Sequence, residues 1–171
     1  MEYTFESQYN AKTMASMAKA LRKTVRKKHS RRSHIFGWIM VILGLLLLIF
    51  KGFTLDFRTI ITLVALVVIL VALLFEDKIN GFVAKKRLLP GTEKAVTVFT
   101  EAGFISTTDI GKTEFSYDKI WLIAETSDFF VFIFSTSHAQ LYDKHHLQGG
   151  TVDDFRCFIK KATDKQVQKI K

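Results

Sequence analysis

Two apolar stretches decide the fold: IFGWIMVILGLLLLIF at residues 35–50 and IITLVALVVILVALLF at residues 60–75. Neither stretch contains a charged residue. A helix of this length covers about 24 Å, slightly less than a hydrocarbon core of about 30 Å, and flanking residues can supply the difference. The two stretches therefore predict a transmembrane helical hairpin over residues 35–75, with spans of about 35–53 and 57–75. Gly37 and Gly44 are expected to let the two helices approach closely.

The apolar stretches fit a soluble core or a signal peptide less well than they fit membrane spans. Helices that are apolar on every face need apolar surroundings on every side, and the rest of the chain is too short to wrap both of them. A cleaved signal peptide would begin near the N-terminus. The first stretch instead follows a polar arm of 34 residues, lacks a convincing cleavage site and precedes another apolar stretch, so a signal peptide is not expected.

The distribution of charge predicts how the hairpin is oriented. The formal net charge is +9. Residues 1–34 carry nine basic side chains against two acidic ones, whereas residues 94–171 carry ten of each. An excess of Lys and Arg marks the cytoplasmic side of a membrane protein, which places both termini in the cytosol. The high isoelectric point then reflects membrane topology, and nucleic-acid binding is not expected.

Residues 1–34 are predicted to form a basic cytosolic arm, made of a short strand and an amphipathic helix. Apolar residues from Met14 to Val25 recur at helical spacing, which predicts a helix over residues 11–32 that leads into the first span. Whether the strand around Tyr3 and Phe5 joins a sheet is left open. The basic side chains expected to contact anionic lipid headgroups are Arg22, Lys23, Arg26, Lys27, Lys28, Arg31, Arg32, Lys85, Lys86 and Arg87. A partner-binding or specific lipid-binding arm is the alternative.

Residues 76–93 form a connector in which the second helix continues beyond the membrane, and a Pro-Gly turn at residues 90–91 marks the domain boundary. From residue 94 the apolar pattern changes to period two. Short strands separated by frequent turns favour antiparallel hairpins over βαβ units. Strands are expected at residues 120–125, 129–134 and 139–142, and a further one through Phe115 and Tyr117.

A single helix is predicted to close this sheet. Thr151 and Asp154 have the spacing of a capping box at its start. Val152, Phe155 and Ile159 form one apolar stripe, which is expected to pack on the strand at residues 129–134. The lysine-rich residues after this helix are expected to fray.

The strands and the closing helix also carry a family resemblance. The relevant segments are VTVFTEAGF at 96–104, FSYDKI at 115–120, IAET at 123–126, DFF at 128–130 and DFR at 154–156. Together with two preceding spans, they resemble the YcxB-like membrane proteins of bacteria. One departure is LYDK at 141–144, where the family more often has an apolar strand that ends in Pro-Lys.

The resemblance implies an α+β membrane protein of the bacterial cytoplasmic (inner) membrane. Its cytosolic domain, residues 94–171, would be a pleckstrin-homology-like (PH-like) domain, a small antiparallel sheet closed by a C-terminal helix. The resemblance implies no activity, because the family has no established common activity. Some PH-like membrane proteins of this general design protect bacteria against their own membrane-active bacteriocins.

The sequence offers no chemistry that indicates an enzyme. It lacks a Gly-rich phosphate loop, a nucleophile elbow and ligands at metal-binding spacing, so no cofactor or metal is expected. Cys157 is the one cysteine. Trp121 falls out of step with its apolar neighbours, and Trp121 and Tyr142 are the candidate contacts for a partner. The linker or the N-terminal strand is the alternative neighbour for Trp121.

Three classes of function remain. The first is a non-catalytic, membrane-anchored binding module whose cytosolic domain recognises a protein, a peptide or a lipid, with self-immunity against a bacteriocin as its most specific form. The second is an accessory subunit of a larger membrane transport or secretion complex. The third, an enzyme, is not expected. The predicted partners are the lipid bilayer and a protein or peptide, and a homo-oligomer is one option.

Overall fold

The computed structural model describes residues 2–50 and 56–170. Within them the chain has the predicted α+β organisation, with two long apolar helices followed by antiparallel sheets. The predicted connection between the spans, including the extension of the first span to residue 53, falls mostly on residues 51–55 and lies outside the described residues.

Five helices and nine strands are present in the described part of the chain. The helices are α1 (Ala11–Lys23), α2 (Lys27–Phe50), α3 (Phe57–Leu74), α4 (Glu76–Lys86) and α5 (Val152–Thr163). The strands are β1 (Tyr3–Gln8), β2 (Lys94–Phe99), β3 (Phe104–Thr108), β4 (Gly111–Phe115), β5 (Leu122–Glu125), β6 (Phe129–Ile133), β7 (Ala139–Asp143), β8 (Leu147–Gln148) and β9 (Val167–Lys169). Single turns of 3₁₀-helix lie at Tyr117–Lys119 and Lys144–His146.

The strands form two sheets. The first has the order β4-β3-β2-β1-β8 and the second the order β7-β6-β5-β9. The N-terminal strand belongs to the first sheet, where Phe5 lies opposite Thr97 of β2. The prediction of a frayed C-terminal tail is wrong in part, because β9 pairs in parallel with β5 and Val167 lies opposite Ile123. All other strand pairs among the described residues are antiparallel.

Aromatic rings fill the space between the two sheets and α5. Phe155 of α5 lies 4.7 Å from Phe5 and 5.2 Å from Phe130, measured between ring centroids, and both pairs meet edge to face. Such pairs stabilise a core beyond the area that they bury. Helix α5 therefore packs against Phe130 of β6 through its apolar stripe. The capping box of this helix is also present, with Thr151 and Asp154 bonded reciprocally.

Strand β6 is buried on both faces. Phe130 and Phe132 point into the aromatic core, whereas Phe129, Val131 and Ile133 pack against α1. All five residues of the strand are buried, which explains why the strand is apolar at every position rather than at every second one. Helix α1 is thus part of the folded domain and covers the outer face of the second sheet.

The helix predicted over residues 11–32 is interrupted. Helix α1 ends at Lys23, Thr24 adopts a non-helical conformation (φ −112°, ψ −96°), and α2 begins at Lys27. At this elbow Val25 packs against the cluster between α1 and β6, and the Arg26 Nε donates to the carbonyl oxygen of Thr136 at 2.6 Å. Contacts with the sheet, which local spacing does not reveal, therefore end the helix early.

Helices α2 and α3 pack closely, as their glycines predicted. A Cβ atom at Gly37 would lie 2.7 Å from Leu73, and one at Gly44 would lie 2.6 Å from Leu66. Each glycine therefore accommodates one leucine of the facing helix, and successive contacts are seven positions apart on both helices. A break at Phe75 separates α3 from α4, and α4 is the predicted continuation of the second helix.

Two local predictions differ from the structure. Tyr117 does not continue a strand: β4 ends at Phe115, and Tyr117 begins a 3₁₀ turn in which its hydroxyl donates to the carbonyl oxygen of Thr100 at 2.6 Å. Tyr142 is 1% exposed, so its predicted role as a partner contact is wrong. Both Leu141 and Tyr142 are buried, because β7 lies between α1 and the aromatic core.

Candidate functional site

The junction between the sheets and the apolar hairpin is built by α1 and α4, which pack against each other. The Arg22 guanidinium donates from Nε and Nη2 to the two carboxylate oxygens of Asp77, both at 2.6 Å. Hydrogen bonding to Asp77 raises the pKa of Arg22, so this cation is permanently charged. A bidentate pair of this kind fixes orientation as well as distance.

A glycine allows the same two helices to touch. A Cβ atom at Gly81 would overlap the backbone of Ala15 and would lie 2.6 Å from its Cα. Gly81 is buried at this crossing. Because α1 also packs on β6 and β7, the hairpin and the sheets are joined through one helix that contacts both.

A basic cleft opens at this junction. Its volume is about 450 Å³, and it lies where the elbow before α2 faces the end of the chain. Its polar lining consists of Arg22, Lys23, Lys27, Ser30, Arg31, His34, Gln168 and Lys169. We call this cavity the basic cleft. Its cations come from two parts of the chain that are more than 130 residues apart in the sequence, the α1–α2 region and β9.

The carboxylates nearest the basic cleft already have partners. Glu76 accepts a hydrogen bond from Ser30 at 3.3 Å, lies 2.6 Å from the His34 Nε2, and is 3.6 Å from the Arg22 Nε. Asp77 is bonded to Arg22. Among the described residues, Lys23, Lys27, Arg31 and Lys169 have no ion pair with a carboxylate. Counting only the described residues, the cations of the cleft therefore outnumber the carboxylates that could balance them.

The ten basic residues predicted at the membrane surface do not form one patch. Arg22 donates hydrogen bonds to Asp77, and Arg26 donates one to the carbonyl oxygen of Thr136. Lys23, Lys27 and Arg31 line the basic cleft, whereas Lys28 and Arg32 are exposed outside its lining. The remaining three, Lys85, Lys86 and Arg87, lie at the far end of α4, about 13 Å along the helix from Asp77 at ~1.5 Å per residue.

A second groove is lined by residues of α1 and α4. Its volume is about 570 Å³, and its apolar lining residues are Ala11, Ala15 and Phe82. The lysines in its lining are Lys12, Lys19 and Lys78. The Lys86 ammonium lies over the Phe82 ring at 4.7 Å from its centroid.

A buried charge cluster joins β5, the 3₁₀ turn after β7 and α5 inside the domain. Glu125 is 4% exposed. Its carboxylate accepts hydrogen bonds from Arg156 at 2.6 and 2.9 Å and from the Lys144 Nζ at 2.7 Å. Burial alone would raise the pKa of Glu125, but the hydrogen bonds from Arg156 and Lys144 outweigh it and lower the pKa to about 2. We assign this cluster a structural role, because every charge in it is paired.

Trp121, the other predicted partner contact, lies directly before β5. Its side chain is 57% exposed, and its backbone N–H donates to the carbonyl oxygen of Ile133. The indole is therefore presented at the surface. Burial raises the pKa of Tyr142 well above its ordinary value, consistent with its place in the core.

The comparison with protein families bears on the second half of this architecture. Residues 99–159 match the family model of YcxB-like proteins. The match confirms the resemblance inferred from the sequence, and it runs from the end of β2 into α5. The YcxB-like segment contains Trp121 and Glu125 but none of the residues that line the basic cleft. Searches of curated proteins and of solved structures found no match to the chain.

Most cations of the basic cleft were predicted as surface contacts from the sequence, but the cleft itself was not predicted. Lys169 and Gln168 belong to the segment that was expected to fray, so nothing placed them beside α2. The segment QVQKI at residues 166–170 does not alternate strictly, because Gln168 and Lys169 are both polar, so its pattern did not predict a strand.

Proposed function

We propose that the chain is a non-catalytic binding module anchored in the bacterial cytoplasmic membrane, with a cytosolic PH-like domain that recognises a protein, a peptide or a lipid. The observation that carries the proposal is the junction. Helix α1 packs on the sheets and is tied to α4 through Arg22 and Asp77. A domain held in this way stays at a fixed place beside the bilayer, which suits recognition at the membrane surface.

The exposed surface of the hairpin supports membrane anchoring. Helices α2 and α3 are long and apolar enough to cross a membrane, and only 6% and 11% of their most apolar segments are buried. Core helices of a soluble protein would be mostly covered by the rest of the chain. The exposed cations near the start of α2, such as Lys27 and Arg31, favour a cytoplasmic position for this end of the hairpin.

The arrangement of the sheets supports the PH-like assignment. Two mainly antiparallel sheets enclose one aromatic core, and α5 closes it. The parallel strand β9 after α5 is an addition to that plan. Domains of this kind bind partners at exposed sheet edges and loop ends, and Trp121 is an exposed aromatic side chain at such a position.

Photo-crosslinking in intact cells tests the proposal. A photoreactive amino acid replaces Trp121 in the full chain, and the same amino acid replaces Ile110, which is 60% exposed, as the matched control. A discrete protein or peptide adduct from position 121, absent at position 110, supports the binding module. Identical adducts from both positions, or none from either, would contradict a partner site at Trp121.

Self-immunity is the most specific form of the proposal. It predicts that deletion of the gene sensitises cells to one membrane-active peptide, and that expression in a naive host transfers resistance. An unchanged response in both strains would exclude it.

The alternative is an accessory subunit of a larger membrane complex. The extensive exposed apolar faces of α2 and α3 favour it, because further helices can pack there. Solubilised protein that migrates well above its own mass plus detergent, together with a stoichiometric second protein, would support this alternative.

A further inference from the structure

We propose that the basic cleft binds the phosphate of an anionic phospholipid headgroup, drawn from the leaflet that surrounds the start of α2. The proposal rests on the proposed function, since it requires α2 to enter a bilayer. It deepens that function by naming one ligand class and one site.

The chemistry of the cleft suits a phosphate group. Lys23, Lys27, Arg31 and Lys169 converge on one cavity, and they have no ion pair among the residues that the structure describes. Ammonium and guanidinium groups bind phosphate oxygens through charge-assisted hydrogen bonds. Like charges that share a cavity repel one another, so an anion between them lowers the energy of the folded state.

The geometry of the cleft favours one bound headgroup over a diffuse surface attraction. The cavity of about 450 Å³ falls within the range of small-molecule sites, roughly 300–1,000 Å³. Glu76 and Asp77 are held by Arg22, and Glu76 also by His34, so these carboxylates do not compete for the four cations.

The position of the cleft relative to the bilayer favours a lipid over a soluble anion. The apolar run begins at Ile35, and Arg31 lies four helical residues before it, about 6 Å along the axis at ~1.5 Å per residue. Lys27 lies about 12 Å before it by the same rise. The headgroup layer on each side of a bilayer is roughly 5–8 Å thick. Arg31 and Ser30 therefore lie at headgroup level, with Lys27 just above.

A headgroup in this position would connect the two parts of the chain. Lys27 and Arg31 belong to α2, whereas Lys169 belongs to β9 of the second sheet. One phosphate bound by both would add a membrane-dependent contact to the junction that Arg22 and Asp77 already form.

Lipid retention by the full chain tests the inference. The purified chain is exchanged into micelles with added phosphatidylglycerol or phosphatidylcholine, and native mass spectrometry counts the lipid that stays bound. We expect preferential retention of phosphatidylglycerol. The apparent affinity should be about 25-fold weaker in the double variant Lys27→Gln, Arg31→Gln, because each cation at a membrane surface strengthens binding by a factor of about five.

Matched variants separate the cleft from general charge. The double variant Lys85→Gln, Lys86→Gln removes the same charge from the far end of α4, and we expect it to retain the lipid. The single variant Lys169→Gln changes an exposed strand residue outside the elbow, and we expect weaker retention without any change in folding. Equal losses of bound lipid in the two double variants would overturn the inference. Full retention of the lipid both in Lys169→Gln and in the Lys27→Gln, Arg31→Gln double variant would also overturn it.

The source of the phosphate is tested in the same measurement. Inorganic phosphate added at the lipid concentration should not displace phosphatidylglycerol, and displacement would overturn the lipid assignment. Equal retention of phosphatidylcholine would overturn it as well. The proposed function fails separately, since it depends on crosslinking at Trp121, a residue that does not line the basic cleft.

Discussion

Arg22 and Asp77, 55 residues apart in the sequence, form a bidentate ion pair between α1 and α4. The pair is the polar contact of the junction between the sheets and the apolar hairpin. The close approach of Gly81 to the Ala15 backbone is the second contact of this junction. The Arg22 and Asp77 side chains are 26% and 21% exposed. This partial burial makes the pair stronger than a surface ion pair and weaker than a fully buried one.

A double-mutant cycle measures this ion pair. We expect Arg22→Gln and Asp77→Asn each to lower the free energy of unfolding, with a coupling energy of about 1–2 kcal/mol between the two positions. The measurement is chemical denaturation of the detergent-solubilised chain, followed by circular dichroism. The same cycle on Lys119 and Asp118, an exposed pair, serves as the control. Equal coupling at both pairs would contradict the role of the junction.

Substitution of Gly81 tests the helix crossing. A methyl group there would overlap the Ala15 backbone, so Gly81→Ala is expected to separate α1 from α4 and to destabilise the protein by about 1–3 kcal/mol. Thermal unfolding in detergent measures the effect. Gly111→Ala is the matched control, because a Cβ atom at Gly111 meets nothing within 4 Å. Similar losses at the two glycines would show that the close approach is not the cause.

Glu125 predicts a defined dependence on acid. Its pKa in the folded protein is about 2, below the ordinary value of 4.5, so the ionised form stabilises the fold above pH 4.5. This contribution, about 3 kcal/mol, is lost as the pH falls from 4.5 towards 2. We therefore expect Glu125→Gln to be about 3 kcal/mol less stable than the wild type at neutral pH, and the difference to close over that interval.

Urea unfolding at a series of pH values measures this difference. Glu114→Gln makes the same chemical change at an exposed position of β4, and we expect it to leave the stability at neutral pH unchanged. A gap between Glu125→Gln and the wild type that stays constant down to pH 2 would show that the ionised carboxylate is not its source.

Local patterns in the sequence predicted the elements whose causes are local. The capping box of Thr151 and Asp154 lies within one helical turn. Gly37 and Gly44 were expected to permit a close approach, and each receives a leucine of α3. The apolar run of the hairpin is a property of consecutive residues. In each case the residues that form the feature lie at a recognisable spacing within one element or within two adjacent elements.

The contacts that build the candidate site are long-range, and no pattern of spacing encodes them. Arg22 pairs with Asp77 across the hairpin, and Lys169 reaches the basic cleft through the parallel pairing of β9 with β5. Helix α1 was expected at the membrane surface rather than on the second sheet. One feature pointed to the sheet: β6 is apolar at all five positions, which requires a cover on both faces.

The position of Cys157 allows a direct test of the proposed topology. It is the one cysteine of the chain and is exposed on α5. If both termini are cytosolic, a membrane-impermeant maleimide should label Cys157 in inverted membrane vesicles and leave it unlabelled in intact spheroplasts. The chain carrying Cys157→Ser and Thr54→Cys places the thiol between the two spans and should give the opposite pattern. Labelling of Cys157 in spheroplasts would place the domain outside the cell and would contradict the orientation inferred from the charge distribution. The lipid proposed for the basic cleft would then belong to the outer leaflet.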